Sequence, residues 1–180
     1  MEVDDPELVK RVLAGRTDDF RLLVERHQQA VFRFAFGLLG NREEAQDVTQ
    51  EAFLAAFVNL SSYDASRARF STWLFTIARN RSINALKQTR PIARDALDSV
   101  TAAAPADTIV RRELSEQLDR ALAALPVEQR SAFILAEIEE LSYAEIARIE
   151  RTSLGTVKSR IHRAKGRLQS LLAAVFREAK

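Results

Sequence analysis

The sequence predicts an all-α protein: two small helical bundles joined by a flexible linker. Three observations carry this reading. Apolar residues recur at helical spacing along most of the chain. Only 5 Gly and 4 Pro occur in 180 residues, which favours long helices over a strand-rich fold. A stretch rich in Ala, Asp, Thr and Ser separates two such patterned regions. Apolar residues make up 47% of the chain, enough for a core in each half.

Residues 6–14 read as a short helix. From Asp18 to Leu39 the residues Phe20, Leu23, Val24, Val31, Phe34, Ala35 and Leu38 mark one face of a long helix, and Gly40-Asn41 ends it. A second long helix runs from about Glu43 to Asn59, with Ala45, Val48, Ala52, Phe53 and Ala56 inward. Ser61 to Ser66 is a loop. A third long helix runs from about Ser71 to Gln88, with Trp73, Leu74, Ile77 and Ala78 as its core face. These helices form a first bundle over residues 1–90.

Residues 91–107 form the linker, opened by Pro91 and closed by Pro105-Ala-Asp. Counted from about Thr89 to Asp107, a flexible chain of ~19 residues spans roughly 25 Å on average and ~60 Å when extended. The two bundles can therefore sit well apart on one ligand.

Residues 108–180 form the second bundle. Val110, Leu114, Leu118, Ala121 and Leu125 mark one helix, ended by Pro126. Glu128 to Glu139 forms the next, with Ala132, Phe133, Leu135 and Ile138 buried. Leu141 to Leu168 then reads as a short helix, a tight turn and a second helix. Ile146, Ala147, Ile149, Leu154, Val157, Ile161 and Leu168 are its packing positions. Ser142 with Glu145 has the capping-box spacing, and Ser153 can cap the second helix. The other face of that second helix carries Lys158, Ser159, Arg160, Arg163, Lys165 and Arg167. An apolar seam opposite Arg, Lys and Ser suits a DNA major groove.

The net charge of +2 hides a sorting by segment. Residues 42–65 hold 1 basic and 5 acidic residues, and residues 66–94 hold 7 and 0. Residues 95–150 hold 5 and 12, and residues 151–180 hold 8 and 1. Two basic blocks around an acidic one suggest two separate contacts with a polyanion, and nucleic acid fits best. The acidic block either binds other partners or keeps the basic blocks off DNA when the protein is alone.

Several classes are excluded. With no Cys, disulfides and thiolate zinc sites are ruled out, and a reducing compartment fits. The acidic start, Met1-Glu-Val-Asp-Asp-Pro, lacks the apolar run of a signal peptide, and no stretch approaches the ~20 apolar residues of a membrane span. A cytoplasmic protein without membrane insertion follows. No Gly-rich phosphate loop occurs, and His27 and His162 are the only histidines. The chain therefore reads as neither an enzyme nor a cofactor or metal protein.

Several motifs in order resemble a known family. They are Asp47-Val-Thr-Gln-Glu-Ala-Phe53, Phe70-Ser-Thr-Trp-Leu-Phe-Thr-Ile-Ala-Arg-Asn80, Leu125-Pro-Val-Glu-Gln-Arg130, Leu141-Ser-Tyr-Ala-Glu-Ile-Ala147 and Gly155-Thr-Val-Lys-Ser-Arg-Ile-His-Arg-Ala164. The chain resembles bacterial sigma-70-type factors of the extracytoplasmic function (ECF) group, which keep two domains called region 2 and region 4. The resemblance implies a transcription-initiation factor that binds core RNA polymerase through the β′ clamp helices and the β flap. It directs the polymerase to promoter DNA, reads −35 and −10 elements, and aids promoter opening. It also implies restraint by an anti-sigma factor.

Carried onto this chain, the resemblance assigns polymerase docking to Asp47, Gln50, Glu51 and Phe53, with core packing as an equal alternative for Phe53. It assigns the −10 element to Tyr63, Phe70, Trp73, Arg79, Asn80, Asn84 and Lys87. Stacking rings, amides and phosphate-binding cations are what capture of an unstacked base needs. Trp73 fits a core position better than a stacking one. The −35 element falls to Thr156, Lys158, Ser159, Arg160, Arg163 and Lys165. One departure stands out: the family often has Leu-Gly at the helix-turn-helix turn, where this chain has Glu150-Arg151. A left-handed residue there would be strained, or the turn is a compact type that needs no glycine. The alternative reading of the whole chain is a stand-alone helix-turn-helix regulator, which leaves the basic block at 66–94 and the acidic helix before it without a role.

Overall fold

A computed structural model of the protein describes residues 3–88 and 116–178. Helix α1, Asp5–Leu13, starts where the Asp4 carboxylate accepts a hydrogen bond from the Glu7 N–H at 2.9 Å. Its face of Leu8, Val9 and Val12 is buried. The Asp5 carboxylate reaches two side chains of the next helix, Arg26 and His27. A 3₁₀ turn, Thr17–Asp19, leads into α2, Phe20–Leu39. Helix α2 stops at Gly40, whose φ of 70° is left-handed and suits a residue without Cβ. Asn41 at once caps α3, Arg42–Val58, by accepting from the Glu44 N–H at 3.1 Å. Helix α4, Phe70–Gln88, closes the first bundle.

Leu23, Val31, Phe34 and Leu38 of α2 meet Ala52, Phe53 and Ala56 of α3 and Phe70, Leu74, Phe75 and Ala78 of α4. Phe34 stands edge-on to Phe75 with ring centres 5.5 Å apart. The inward face of α3 is the one its spacing predicts: Ala45, Val48, Ala52, Phe53 and Ala56. On α4 the deep aromatic is Phe75, while Trp73 and Ile77 are only half-buried. The loop expected over 61–66 opens as a short 3₁₀ turn, Leu60–Ser62.

The second bundle has α5 over residues 116–123, α6 at Val127–Glu137, α7 at Tyr143–Glu150 and α8 at Leu154–Glu178. On α6 the inward positions are Arg130, Ser131, Ala132, Ile134 and Leu135. Phe133 is half-buried and packs toward Ala121, Leu122 and Leu125, whereas Ile138 is 38% exposed beyond the helix end. Leu118 is also exposed. Val110, Leu114 and the expected linker lie outside the described residues.

The two bundles touch each other. Helix α6 lies on α2 and α7 lies on α4. One apolar core runs through both, from Leu23 and Phe34 to Ile134, Ile146 and Ile161. Helices α2 and α6 approach closely because α2 carries Gly37. A Cβ there would stand 2.7 Å from Ile134 Cδ1. Polar contacts frame this seam. Arg33 donates to both carboxylate oxygens of Glu139, at 3.0 and 2.8 Å. The buried Arg130 donates to the Leu38 carbonyl at 2.7 Å, and to the Leu125 carbonyl at 3.0 Å within its own bundle.

Phe34→Ala should cost about 3–5 kcal/mol, because a fully buried ring leaves a cavity that the packed helices cannot close. Urea denaturation checks this. A second expectation concerns acid. Burial pushes the Asp5 carboxyl up, but hydrogen bonds from His27 and Arg26 outweigh this and hold its pKa below the ordinary 3.8. The stability it contributes is present above that ordinary value and is lost as pH falls through the lowered one. Asp5→Asn should flatten the fall of the urea midpoint below about pH 4. An unchanged slope would show that Asp5 does not anchor α1.

Candidate protein and nucleic-acid interfaces

Three surfaces hold the residues singled out in the sequence. The first is the outer face of α3. Asp47, Gln50 and Glu51 are exposed there, as helical spacing opposite Val48 and Ala52 requires. Asp47 and Glu51 line a cleft of about 480 Å³ against Arg81, Asn84 and Gln88 of α4. Arg81 donates to Glu51 at 3.3 Å, an exposed pair of small energetic weight. Phe53 does not belong to this face. It is 6% exposed and sits in the core, so packing claims its ring. An exposed apolar residue on this helix is its neighbour Leu54, at 65%. Sequence reasoning missed it, although a Leu outside the buried α3 stripe was the available signal.

The second surface surrounds the start of α4. Tyr63, Phe70 and Trp73 form an aromatic cluster with ring centres 5.5 to 5.7 Å apart. Phe70 is 1% exposed and is its buried floor, so the stacking role assigned to it does not fit this placement. Tyr63 and Trp73 are half-buried above it. Tyr63 and Phe70 line a cleft of about 390 Å³ with Asp4, Asp5, Arg26, Arg69 and Ser71. Burial raises the Tyr63 pKa, and the nearby carboxylates of Asp5, Asp4 and Asp64 raise it further. Asn80, Asn84 and Lys87 are exposed along α4, as the four-residue spacing of the two amides requires. Arg79 is turned inward and its side chain is nearly buried.

The third surface is the helix-turn-helix. The capping box is complete. The Glu145 N–H donates to the Ser142 hydroxyl, and the Ser142 N–H donates to the Glu145 carboxylate at 3.0 Å. Arg151 makes the turn in the left-handed region, at φ 51° and ψ 48°. The strained alternative is therefore the one adopted, at a cost of about 1–2 kcal/mol. The Thr152 N–H bonds back to the Ala147 carbonyl at 3.0 Å. Ser153 caps α8 by accepting from the Thr156 N–H at 3.1 Å, and the two hydroxyls pair at 2.9 Å. Thr156 thus serves the cap. Val157, Ile161, Ala164 and Leu168 face inward, and Leu154 is exposed. Lys158, His162, Arg163, Lys165 and Arg167 are exposed, with Ser159 half-buried. Lys165 pairs with Glu137 of α6 at 2.8 Å.

Glu150, expected only as a turn residue, is the centre of a charge cluster. Its side chain is fully buried. One carboxylate oxygen accepts a short hydrogen bond from Arg160 of α8. The other lies 3.8 Å from Arg79 Nε of α4. A buried carboxylate needs such partners, since an unpaired charge away from water is strongly disfavoured. Burial lowers the Arg79 pKa, and Glu150 pulls it the other way. Nearby, Glu145 accepts from Thr72 of α4 at 3.3 Å and faces Arg69 at 3.8 Å. Burial pushes the Glu145 carboxyl up, but the Ser142 hydroxyl and N–H, Arg69 and Thr72 together lower it. Arg148 of α7 donates to the Arg67 carbonyl at 2.8 Å.

Among the described residues no group of three or more His, Cys, Asp or Glu is placed to hold a metal ion, and no helix is long and apolar enough to cross a membrane.

Comparison with known proteins fits the same surfaces. The family Sigma-70 region 2 matches residues 23–92, and Sigma-70, region 4 matches residues 115–168. The chain is 34% identical to the ECF RNA polymerase sigma factor SigW of Bacillus subtilis, over 96% of this chain and 98% of that one. It is 33% identical to the ECF RNA polymerase sigma-E factor of Escherichia coli, over 98% of each. Among solved structures it resembles CnrH in complex with the cytosolic domain of CnrY, with a TM-score of 0.73 and 27% identity over 93% of this chain and 96% of that one. It also resembles the sigma factor RpoE in complex with the anti-sigma factor NepR from Bartonella quintana, with a TM-score of 0.69 and 28% identity over 86% and 97%. With both regions matched in order and relatives aligned over nearly their whole length, the chain belongs to the ECF group of sigma-70-type RNA polymerase sigma factors, which are transcription-initiation factors.

Proposed function

We propose that this sigma factor divides its work between residues 1–90, which dock on core RNA polymerase and hold the −10 element, and residues 108–180, which hold the −35 element. The observation that carries this reading is the segregation of exposed side chains. The outer face of α3 offers acids and Leu54, while the outer face of α8 offers Lys158, Arg163, Lys165 and Arg167. An acidic face with an exposed apolar residue suits a protein partner, and a basic helix face suits DNA.

In this reading Asp47, Gln50 and Glu51 meet the polymerase β′ clamp helices, with Leu54 as their apolar contact, and the second bundle meets the β flap. Tyr63 and Trp73 offer ring faces to an unstacked base of the −10 element, and Asn80, Asn84 and Lys87 contact its edges and phosphates. Lys158, Ser159 and Arg163 enter the major groove at the −35 element, with Arg160 joining them once it leaves Glu150. Thr156 supports this by ordering the first turn of α8, and Lys165 approaches a phosphate. The protein works in the cytoplasm, performs no covalent chemistry of its own and is held in check by an anti-sigma factor. The solved sigma factor RpoE bound to the anti-sigma factor NepR supports that last point.

Titration of labelled protein with bacterial core RNA polymerase tests the docking face. The Asp47/Gln50/Glu51 triple alanine variant should bind at least about tenfold more weakly, a loss of about 1.4 kcal/mol. Equal binding by the variant sinks the assignment. Lys158→Ala and Arg163→Ala should each weaken binding to a −35 duplex and leave core polymerase binding unchanged. A phosphate contact lowers the salt slope by about 1 without changing sequence preference, whereas a base contact costs about 1–3 kcal/mol at one position. Loss of polymerase binding in these variants would instead mark the residues as structural.

A further inference from the structure

We infer that the cleft between the start of α1 and the loop before α4 captures a nucleobase carrying an exocyclic amino group, adenine, cytosine or guanine, and turns thymine away. This rests on the reading of the first bundle as the holder of an unstacked −10 base and names the chemistry of that base. The cleft measures about 390 Å³, room enough for one base. Its floor is the buried ring of Phe70, and Tyr63 stands edge-on to that ring with centres 5.5 Å apart. Aromatic rings of this kind stack on any base and do not choose among them. Ala65 and Ala68 line the loop side, with side chains too small to fill the space. Arg69 also lines the cleft, and its side chain is 81% exposed and held only by a 3.8 Å pair with Glu145. A guanidinium at such a rim suits the phosphates of a strand whose base lies inside.

The choice among bases comes from the opposite wall, which α1 supplies. Asp4, Asp5 and Pro6 line it, and they precede residues 23–92, the part of the chain that matches Sigma-70 region 2. The wall is set before a ligand arrives, which lowers the cost of binding. Arg26 of α2 donates to Asp5 and to the Val3 carbonyl, and the His27 ring meets the other Asp5 oxygen at 2.8 Å. Asp4 accepts the Glu7 N–H through Oδ1 at 2.9 Å, which leaves Oδ2 of this exposed residue as an acceptor for a ligand. An ionised carboxylate accepts and cannot donate. Burial, then the carboxylates of Asp5, Asp4 and Asp64, raise the Tyr63 pKa, so the negative potential of the wall reaches the ring on which the base would lie. The pairing edges of adenine, cytosine and guanine each bring an amino donor to such acceptors. Thymine brings two carbonyl oxygens around one N–H, so its edge is repelled and its acceptors stay unpaired. Asn80, Asn84 and Lys87 do not line this cleft, so its selection is separate from contacts along the rest of α4.

The full-length chain assembled with core RNA polymerase tests this. The probes are short labelled single strands of dT, all-dT or with one central dA, dC or dG, and core polymerase alone gives the background. Wild type should bind each substituted strand at least about fivefold more tightly than the all-dT strand, the low end of what one base-edge pairing discriminates. Asp4→Asn keeps the α1 cap, because an Asn oxygen accepts the Glu7 N–H as well. It also turns the remaining carboxylate oxygen into an NH2 donor that suits a thymine carbonyl. This variant should lose the preference, through tighter binding of all-dT and weaker binding of the others, with helical content intact. Tyr63→Leu should weaken all four strands alike, because it removes a stacking ring and leaves the wall in place. Equal affinity of wild type for all four strands, with Tyr63→Leu still weakening each, would overturn the selection and leave base capture standing. An unchanged preference in folded Asp4→Asn would overturn the selection by α1. Binding of no strand above the background would sink the capture reading and this inference with it.

Discussion

The arrangement of this protein turns on one buried carboxylate. Glu150 ends the first helix of the helix-turn-helix, where its side chain has no exposure. A lone carboxylate there would be untenable, so the structure brings it Arg160 from α8 and Arg79 from α4. The first contact fixes the angle between α7 and α8. The second fastens that pair to the other bundle. Removing one partner from a buried ion pair typically costs about 3–5 kcal/mol, because the remaining charge stays buried. The same residue thus shapes the DNA-binding unit and decides where it sits.

Around that point the fold uses each long helix twice. Helix α2 buries Leu23, Phe34 and Leu38 inside its own bundle and presents Gly37 and Arg33 to α6. Helix α4 buries Leu74, Phe75 and Ala78, turns Arg79 and Thr72 toward α7, and leaves Asn80 and Asn84 in water. Helix α8 seats Val157, Ile161 and Ala164 against α6 and α7, with Lys158 and Arg163 outward. Helix α3 packs on α2 and α4 and leaves Asp47, Gln50, Glu51 and Leu54 exposed on its outer face.

Much of this was legible in the chain because local rules decide it. The stripe of Ala45, Val48, Ala52, Phe53 and Ala56 falls on the buried face of α3 as helical spacing dictates. Gly40, Asn41, Ser142 with Glu145, and Ser153 act at the helix ends where their side chains suggest. The errors arise where periodicity leaves two neighbours in competition. Phe75 outcompetes Trp73 for the core, and Ile134 outcompetes Phe133 and Ile138, because the second bundle covers a side of each helix that an isolated bundle would leave in water. Phe53, for which the sequence leaves docking and core packing as equal alternatives, is claimed by packing, and so is Phe70, which the resemblance assigns to the −10 element. Glu150 was invisible as a buried residue because its partners lie 10 residues away and in the other bundle.

The segmental charges gain a physical meaning from this geometry. Residues 66–94 and 151–180 are strongly basic, and residues 95–150 are strongly acidic. A carboxylate opposite an arginine resembles a backbone phosphodiester in its single negative charge and in the two acceptor oxygens it offers a guanidinium, although the phosphate is tetrahedral and the carboxylate planar. Glu139, Glu145 and Glu150 take that place for Arg33, Arg69 and Arg79. Exposed pairs of this kind are weak and screened by salt, whereas the desolvated one resists screening.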